Sequence, residues 1–375
     1  MAKLIEKGRI SPLQLSILVF IFTIGTTVLA IPSVMTARAN QDAWLSSLIG
    51  ILLCVFLAAF FALCAKPIGR ETYIQYLERV YGKVIGKIIG VTYVFFGFIG
   101  TSTLLFQFGN FVTTQMLVET PIEIINLMLV LLIIASLRAG LEVLARTSEL
   151  LFPWFMFLFI ALVILLLPQI ELDRISPLYE AKINDHLSAA LDFVSFAGFP
   201  LVVFLMFYPG NINRPDKVKW NLILGTFFGA LVVGVFVFLC ILVLGSAATA
   251  RQIYPSYVLA KTVSVFDIIE RIEAAMASMW ILSIFFKTAI YFYACVVGLA
   301  EILEVKNYRF LALPIGILTF LFSMVVYPNV AFMSHWDNTY WVVYSMIMGF
   351  FIPLFTLILH KIKSLAKPES ISNDT

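Results

Sequence analysis

The sequence predicts an all-α integral membrane protein with ten transmembrane helices, arranged as two groups of five. Three observations carry that prediction. Apolar residues make up 61% of the 375 and charged residues 13%, and mean hydropathy is +1.00. Charge-poor runs long enough to cross a bilayer recur ten times. Lysine and arginine gather in alternate connecting segments. A soluble domain is about 45–50% apolar and about 25% charged. The composition therefore excludes a soluble enzyme, a nucleic-acid-binding domain, a disordered chain and a disulfide-stapled secreted module. A net charge of +3 is too small to imply a polyanionic partner.

A spanning helix needs about 20 apolar residues. The runs are 11–32, 43–65, 88–117, 122–138, 150–168, 193–211, 220–246, 274–300, 310–328 and 338–359. They are continuous rather than alternating, which favours helices over a β-barrel. The first is too long for a signal peptide and has no clear small-residue cleavage site, so it is expected as a retained helix. The fourth is bounded closely by Glu123 and Arg138, so its ends must snorkel. The third and seventh exceed the core thickness and are expected to tilt or protrude. Segment 71–83 places Tyr73, Tyr76, Leu77 and Val80 on one helical face and reads as an inner interfacial helix. In segment 251–273, Val258, Phe266, Ile269 and Ile272 recur at near-helical spacing, with Ser256 a candidate cap, which suggests a short outer lid. The whole chain, 1–375, is expected as a single transmembrane domain with repeats at about 11–168 and 187–360, and 367–375 as a disordered cytoplasmic tail.

Orientation follows from the basic residues. With the N-terminus in the cytoplasm, 18 Lys and Arg fall in inner segments and 6 in outer ones (Arg38, Arg174, Lys182, Arg251, Lys261 and Arg271). Both termini are then cytoplasmic, which requires an even number of crossings. Lys287 belongs to neither side. Cys54, Cys64, Cys240 and Cys295 stand far apart in apolar stretches and read as small buried hydrophobes. No metal-binding, phosphate-binding or nucleophile motif occurs, so no enzyme activity, metal or cofactor is implied.

The first and sixth runs share an interruption. The first reads LVFIFTIGTTVLAIP, with Gly25, Thr26 and Thr27 at its middle. The sixth reads DFVSFAGFPLVVFLMFYPG, with Gly198, Phe199 and Pro200 interrupting it. Glycine weakens a helix, and proline removes a donor and clashes one turn earlier. These runs begin the two groups of five, which enter the membrane from opposite sides because five is odd. Interrupted helices at corresponding places in two halves point to a transporter-type binding site. Freed N–H groups attract a carboxylate and freed carbonyls attract an ammonium. Close packing or a simple kink is the competing explanation.

Lys287 lies near the centre of the eighth run. Charge at a helix centre costs roughly 2.5–3.5 kcal/mol on insertion scales, so this side chain is expected to face the bundle interior. Ile284, Lys287, Thr288, Tyr291 and Cys295 share that face. Two roles are open to Lys287: a cation-like or protonatable group beside the broken first helix, or a tether for the carbonyls of the unwound turn. The third run offers Tyr93, Gly97, Gly100, Thr101 and Leu104 on one face.

The opening ISPLQLSILVFIFTIGTTVLAIP, with Ile10, Ser11, Gln14, Gly25, Leu29 and Pro32, resembles the start of the endospore germination permeases, the B subunits of bacterial spore germinant receptors. That family belongs to the amino acid–polyamine–organocation (APC) transporter superfamily. The resemblance implies the five-plus-five inverted-repeat, LeuT-like fold with helices 1 and 6 broken. It further implies a sensor of small nutrients, typically amino acids, in the inner membrane of the dormant spore. Its partners would be an A subunit with membrane and soluble parts and a C-subunit lipoprotein. By that analogy the ligand lies between crossings one, three, six and eight. Gly25, Thr26, Thr27, Phe196, Ala197, Gly198 and Phe199 carry over as ligand-binding residues. Tyr93, Gly97, Thr288 and Tyr291 follow from the matching faces. Lys287 takes the part of the buried lysine that replaces a sodium ion in some superfamily members, although there it comes from a different helix. The alternative is a proton-coupled amino acid permease, and an ion conduit opened by partner subunits is compatible with the sensor.

Overall fold

The computed structural model describes residues 8–69, 71–208, 210–213, 218–263 and 272–366, with only the backbone at 218 and 366. The tail 367–375, the counted charges Lys3, Lys7, Arg70, Arg214, Lys217 and Arg271, and Phe266 and Ile269 of the expected lid lie outside the described residues.

The first crossing is two helices, α1 (Pro12–Ile24) and α2 (Thr27–Ala39). Its opening motif is a capping box. The Ser11 hydroxyl accepts from Gln14 N at 3.1 Å, and Gln14 Oε1 accepts from Ser11 N at 2.9 Å, with Pro12 in the first turn. A 3-10 turn at Asn40–Asp42 leads into α3 (Ala43–Ile68), the second crossing. Helix α4 (Tyr73–Tyr81) carries a second capping box, Thr72 with Gln75. It buries Tyr73, Ile74, Tyr76, Leu77 and Val80. That apolar face packs on protein rather than lying open to lipid, because α4 rests against α5 (Lys83–Gln115).

Crossings three to five are α5, α6 (Ile122–Ala139) and α7 (Leu141–Leu166). The fifth begins at 141, not 150. Arg146 pairs with Glu142 at 2.5 Å and Glu149 accepts from Gln14 Nε2 at 2.8 Å, so the charges that bound the run in sequence are carried on the first turns of the helix. The sixth crossing is α8 (Ile183–Ala197) continued by a 3-10 helix, Phe199–Met206. The seventh is α9 (Val218–Leu244). Two short helices follow, α10 (Ser246–Arg251) and α11 (Pro255–Lys261). Ser256 does not cap a lid. It is buried, and its hydroxyl donates to Val28 O at 2.6 Å, tying this segment to α2. The eighth crossing is α12 (Glu273–Ile302), and the ninth is the short α13 (Ala312–Ser323). The tenth starts at 330, not 338. It runs through α14 (Val330–Met346), a π-helical turn at Ile347–Phe351, and α15 (Ile352–Ala366).

By length and hydropathy, eight helical stretches among the described residues qualify as membrane spans. One of them, Thr27–Ile68, joins α2, the second half of the first crossing, to α3, the second crossing; the short apolar α1 supplies the other half of the first crossing and α13 the ninth, which completes ten. The sixth and eighth crossings are mostly buried, and α7 mostly faces outward. Leu150, Trp154, Phe157, Ile160 and Ile164 recur along α7 as an exposed apolar stripe, the pattern of a helix facing lipid. The four cysteines are buried and unbridged.

Candidate ligand-binding site

The site is built where the two interrupted crossings meet α12. Helix α1 closes with Gly25 N donating to Ile21 O at 2.9 Å. Gly25 then adopts φ +31° and ψ −125°, a conformation that L side chains rarely take. The residue is constrained twice, because a Cβ here would collide with Lys287 Cδ. The freed Gly25 carbonyl accepts from Ser283 Oγ at 3.1 Å. Helix α2 resumes at Thr27 with no side chain capping its N-terminus. Its first bonds are those of Leu29 N and Ala30 N to Thr26 O. The earlier amides of that turn carry the partial positive charge of a helix N-terminus.

At the sixth crossing, α8 ends at Ala197, and Gly198 has φ −103° and ψ −63°, open to any residue. The break is a tightening from α to 3-10 geometry rather than an unwound turn. It still frees carbonyls at the end of α8, and two side chains take them. Trp341 Nε1 donates to Ser195 O at 3.0 Å, and Lys287 Nζ donates to Phe196 O at 2.8 Å. Lys287 is 2% exposed. Its ammonium also reaches Thr27 Oγ1 at 3.4 Å and sits 5.2 Å from the centre of the Phe22 ring. A cation at a helix C-terminus is favoured by the helix dipole and can satisfy its last carbonyls. One side chain from α12 thus packs on the first break and caps the second.

Beside Lys287 lies a small cavity. Crossing one contributes Thr26, crossing six Phe196, and α12 contributes Lys287 and Tyr291. Helix α5 adds Gly100, Thr103, Leu104 and Gln107, and α14 adds Asp337 and Trp341. The cavity offers about 20 Å³ to the centre of a water molecule. That is room for about one or two waters and not for an amino acid unless a wall moves. The Tyr291 hydroxyl is buried without a hydrogen-bond partner, a polar atom that a ligand could satisfy.

Of the residues singled out by the sequence, Thr26, Gly100, Leu104, Phe196, Lys287 and Tyr291 line the cavity, and Gly25 and Thr27 touch Lys287. The others stand behind it. Ala197 is fully buried, and Gly198 packs toward Leu57 and Cys54. Phe199 lies under Gly349 of the π-helical turn, where a Cβ would come within 2.7 Å of Phe199 Cβ. Gly97 abuts the Tyr291 carbonyl, and Tyr93 OH donates to Met348 O at 2.8 Å. Thr288 Oγ1 donates within its own helix, to Ile284 O at 2.6 Å.

Sequence reasoning did not single out Gln107, Asp337 or Trp341. Gln107 continues the α5 face of Gly97, Gly100 and Leu104 by three residues, a signal that was available. Asp337 lies one residue before the tenth charge-poor run, 338–359. It sits on the tenth crossing and is held by the third crossing and by the segment that follows the ninth: Gln107 Nε2 donates to Asp337 Oδ2 at 3.1 Å, and Tyr327 OH to Asp337 Oδ1 at 3.0 Å. Thr26 Oγ1 donates to Gln107 Oε1 at 2.8 Å, which links the first break to that carboxylate.

Residues 9–331 match the family described as spore germination protein. Spore germination protein KB of Bacillus subtilis (strain 168) is 29% identical over 327 residues, covering 86% of this chain and 87% of that protein. Spore germination protein B2 of the same organism is 23% identical over 330 residues, covering 86% and 88%. Among solved structures, Mhp1, a nucleobase–cation-symport-1 family transporter in a closed conformation with bromovinylhydantoin bound, superposes with a TM-score of 0.70 at 13% identity, covering 92% of this chain and 77% of that one. MhsT in complex with L-phenylalanine superposes with a TM-score of 0.65 at 14% identity, covering 93% and 98%. Both likenesses concern the fold: the five-plus-five, LeuT-like architecture with crossings one and six interrupted.

Proposed function

The chain belongs to the spore germination protein family, and from that premise we propose that it is the nutrient-sensing membrane subunit of a germinant receptor. Its ligand is a small zwitterion, an amino acid, bound near the bilayer midplane between crossings one, three, six and eight. The observation that carries this reading is the Lys287 bridge: one ammonium packs against the broken first helix and caps the Phe196 carbonyl at the end of α8. Around it stand the uncapped start of α2, the unpaired Tyr291 hydroxyl and the Phe196 ring, a set suited to a carboxylate with a small apolar side chain. Gly25, Thr26, Thr27, Phe196 and Tyr291 make the site. Tyr93, Gly97, Ala197, Gly198, Phe199 and Thr288 hold its walls.

A ligand that binds one arrangement of the two breaks more tightly than another shifts the population between them. The subunit passes that shift to an A subunit and a C-subunit lipoprotein in the spore inner membrane, with both termini in the cytoplasm. The two repeats run about 11–168 and 187–360 within one transmembrane domain. The test is reconstitution of the full chain in vesicles with labelled amino acids. Saturable binding without accumulation is expected. Accumulation driven by a proton gradient would replace the sensor with a proton-coupled permease, and no binding at all would remove the nutrient site.

A further inference from the structure

Asp337 is a carboxylate in the wall of the central cavity, and none of the ion pairs among the described residues includes it. An ionisable residue inside the membrane region that faces a cavity marks a ligand or ion pathway by default. Its two hydrogen bonds come from neutral donors, Gln107 and Tyr327, one to each oxygen. Those donors fix the carboxyl group's orientation and bring no counter-charge, and each oxygen keeps a further lone pair.

Asp337 also lines a second, larger hollow. That vestibule offers about 250 Å³ to the centre of a water molecule and opens at the end of the molecule where α2 stops and α14 begins. Its polar rim is Ser33, Arg251, Gln252, Ser334 and Asn338. Phe196 and Asp337 are the two residues that line both vestibule and central cavity, so together they form the partition between them. A solute coming from the vestibule meets an apolar ring and a carboxyl group with no ion-pair partner side by side. On the far side of the partition it meets Lys287 and the Tyr291 hydroxyl.

We propose that Asp337 binds the ammonium end of the amino acid nutrient at this threshold, leaving Lys287 and Tyr291 to receive the carboxylate end. The proposal rests on the nutrient-sensing reading and adds to it the group that recognises the amine. The same geometry gives a route for the signal. Thr26 donates to Gln107 and Gln107 donates to Asp337, so a cation on the carboxylate competes with the donor that ties Asp337 to the first break.

The test uses the full chain in lipid nanodiscs. Each proteinogenic L-amino acid is tried in turn, and then, for the tightest binder, its deaminated acid and decarboxylated amine. Wild type should prefer the amino acid to the deaminated acid by about 10- to 100-fold, the worth of one charge-assisted hydrogen bond. Asp337→Asn should weaken the amino acid by that factor and leave the acid unchanged. Equal weakening of both ligands, or undiminished amino acid binding with an unshifted unliganded melting temperature, overturns the proposal. Where Asp337→Asn yields no monodisperse protein, Asp337→Glu decides, because a charge on a longer stem must alter the preference for amine over acid, and an unaltered preference overturns it. A melting shift produced in wild type, and not in Asp337→Asn, by sodium or potassium chloride but not choline chloride would make Asp337 a metal-cation site instead. Failure of every amino acid to bind wild type is a distinct result, since it removes the nutrient reading itself before any variant is compared.

Discussion

The two interrupted crossings look alike in sequence and differ in structure. At the first, the chain leaves the helix altogether: Gly25 has φ +31°, its carbonyl is taken by Ser283, and the Lys287 stem fills the space a side chain would need. At the sixth, Gly198 keeps a φ of −103° and the helix only tightens into a 3-10 run that packs under Gly349. The first break is held by backbone strain and a plug. The second is held by packing and by capped carbonyls. A strained turn wedged against a side chain is discrete and costly to alter, whereas a 3-10 segment exchanges with α-helix at small cost. On the proposed reading, that difference makes crossing one the fixed part of the ligand site and crossing six the part that yields.

The sharpest way to break that assignment is Gly25→Ala. It combines a disfavoured backbone conformation with a collision against Lys287 Cδ, and should destabilise the protein by about 2–5 kcal/mol. Thermal unfolding in detergent checks the size. A double-mutant cycle separates the causes, because Lys287→Ala removes the collision and leaves the strain. Gly25→Ala should therefore cost less in the Lys287→Ala background. Strict additivity would show that the plug is not part of the break.

Next in size is Lys287→Ala on its own. It strips the Phe196 carbonyl of its donor and opens a hole beside Gly25, a loss of about 2–4 kcal/mol. Spores whose receptor carries it should fail to germinate on nutrient while the subunit remains in the membrane fraction. Lys287→Met refills the hole without the charge. Recovery of stability without germination assigns the charge to function, and recovery of both reduces Lys287 to a spacer.

These residues also show what the sequence made legible. Lys287 stood out because a charge inside an apolar run has few physical explanations, and Gly25 because a Gly-Thr-Thr triplet interrupts an otherwise strong helix. The ten crossings were legible for the same reason: in lipid every backbone group is paired within its helix, so each span leaves a long charge-free run. The two misplaced boundaries have one cause. Charge was used as a boundary marker, which hid Asp337 inside α14 and trimmed α7 back past Glu142 and Arg146. The 3-10 character of the sixth crossing left no signal, because Gly-Phe-Pro fits an unwound turn as well as a tightened one. Which wall residues reach the cavity depends on helix rotation, and that is fixed by contacts such as Phe199 under Gly349 that no periodicity encodes.

A smaller effect is expected at the softer break. In Gly198→Ala the backbone is indifferent, and the new methyl meets Leu57 Cδ1 at 2.9 Å and Cys54 Sγ at 3.0 Å, side-chain ends that can shift. The cost should be about 1 kcal/mol, and Leu57→Ala in the same chain should offset part of it. The stronger consequence is functional. If the 3-10 segment is the part that responds to ligand, a better helix former at its start shifts the nutrient concentration for half-maximal germination while Gly25→Ala abolishes the response. Equal loss in both variants would erase the distinction between the breaks.

The smallest effect serves as the reference for the others. On the side of the molecule away from the vestibule, Glu304 takes a hydrogen bond from Lys87 at 2.9 Å and stands 3.3 Å from Lys83, joining the start of α5 to the end of α12. Lys87 and Lys83 hold its carboxyl below the ordinary glutamate value of 4.5. A carboxyl whose folded value is depressed adds stability above its unfolded value and loses it as pH falls through the folded one. Wild type and Glu304→Gln should therefore differ by a constant small margin from about pH 5.5 to 8, a margin that narrows only below about pH 4.5 and shrinks in high salt, as expected for exposed ion pairs. Melting curves across that range test it, and nutrient response should be unchanged. A germination defect in Glu304→Gln comparable to that of Lys287→Ala would mean that the α5–α12 contact itself, and not the pair of breaks, sets the receptor's response.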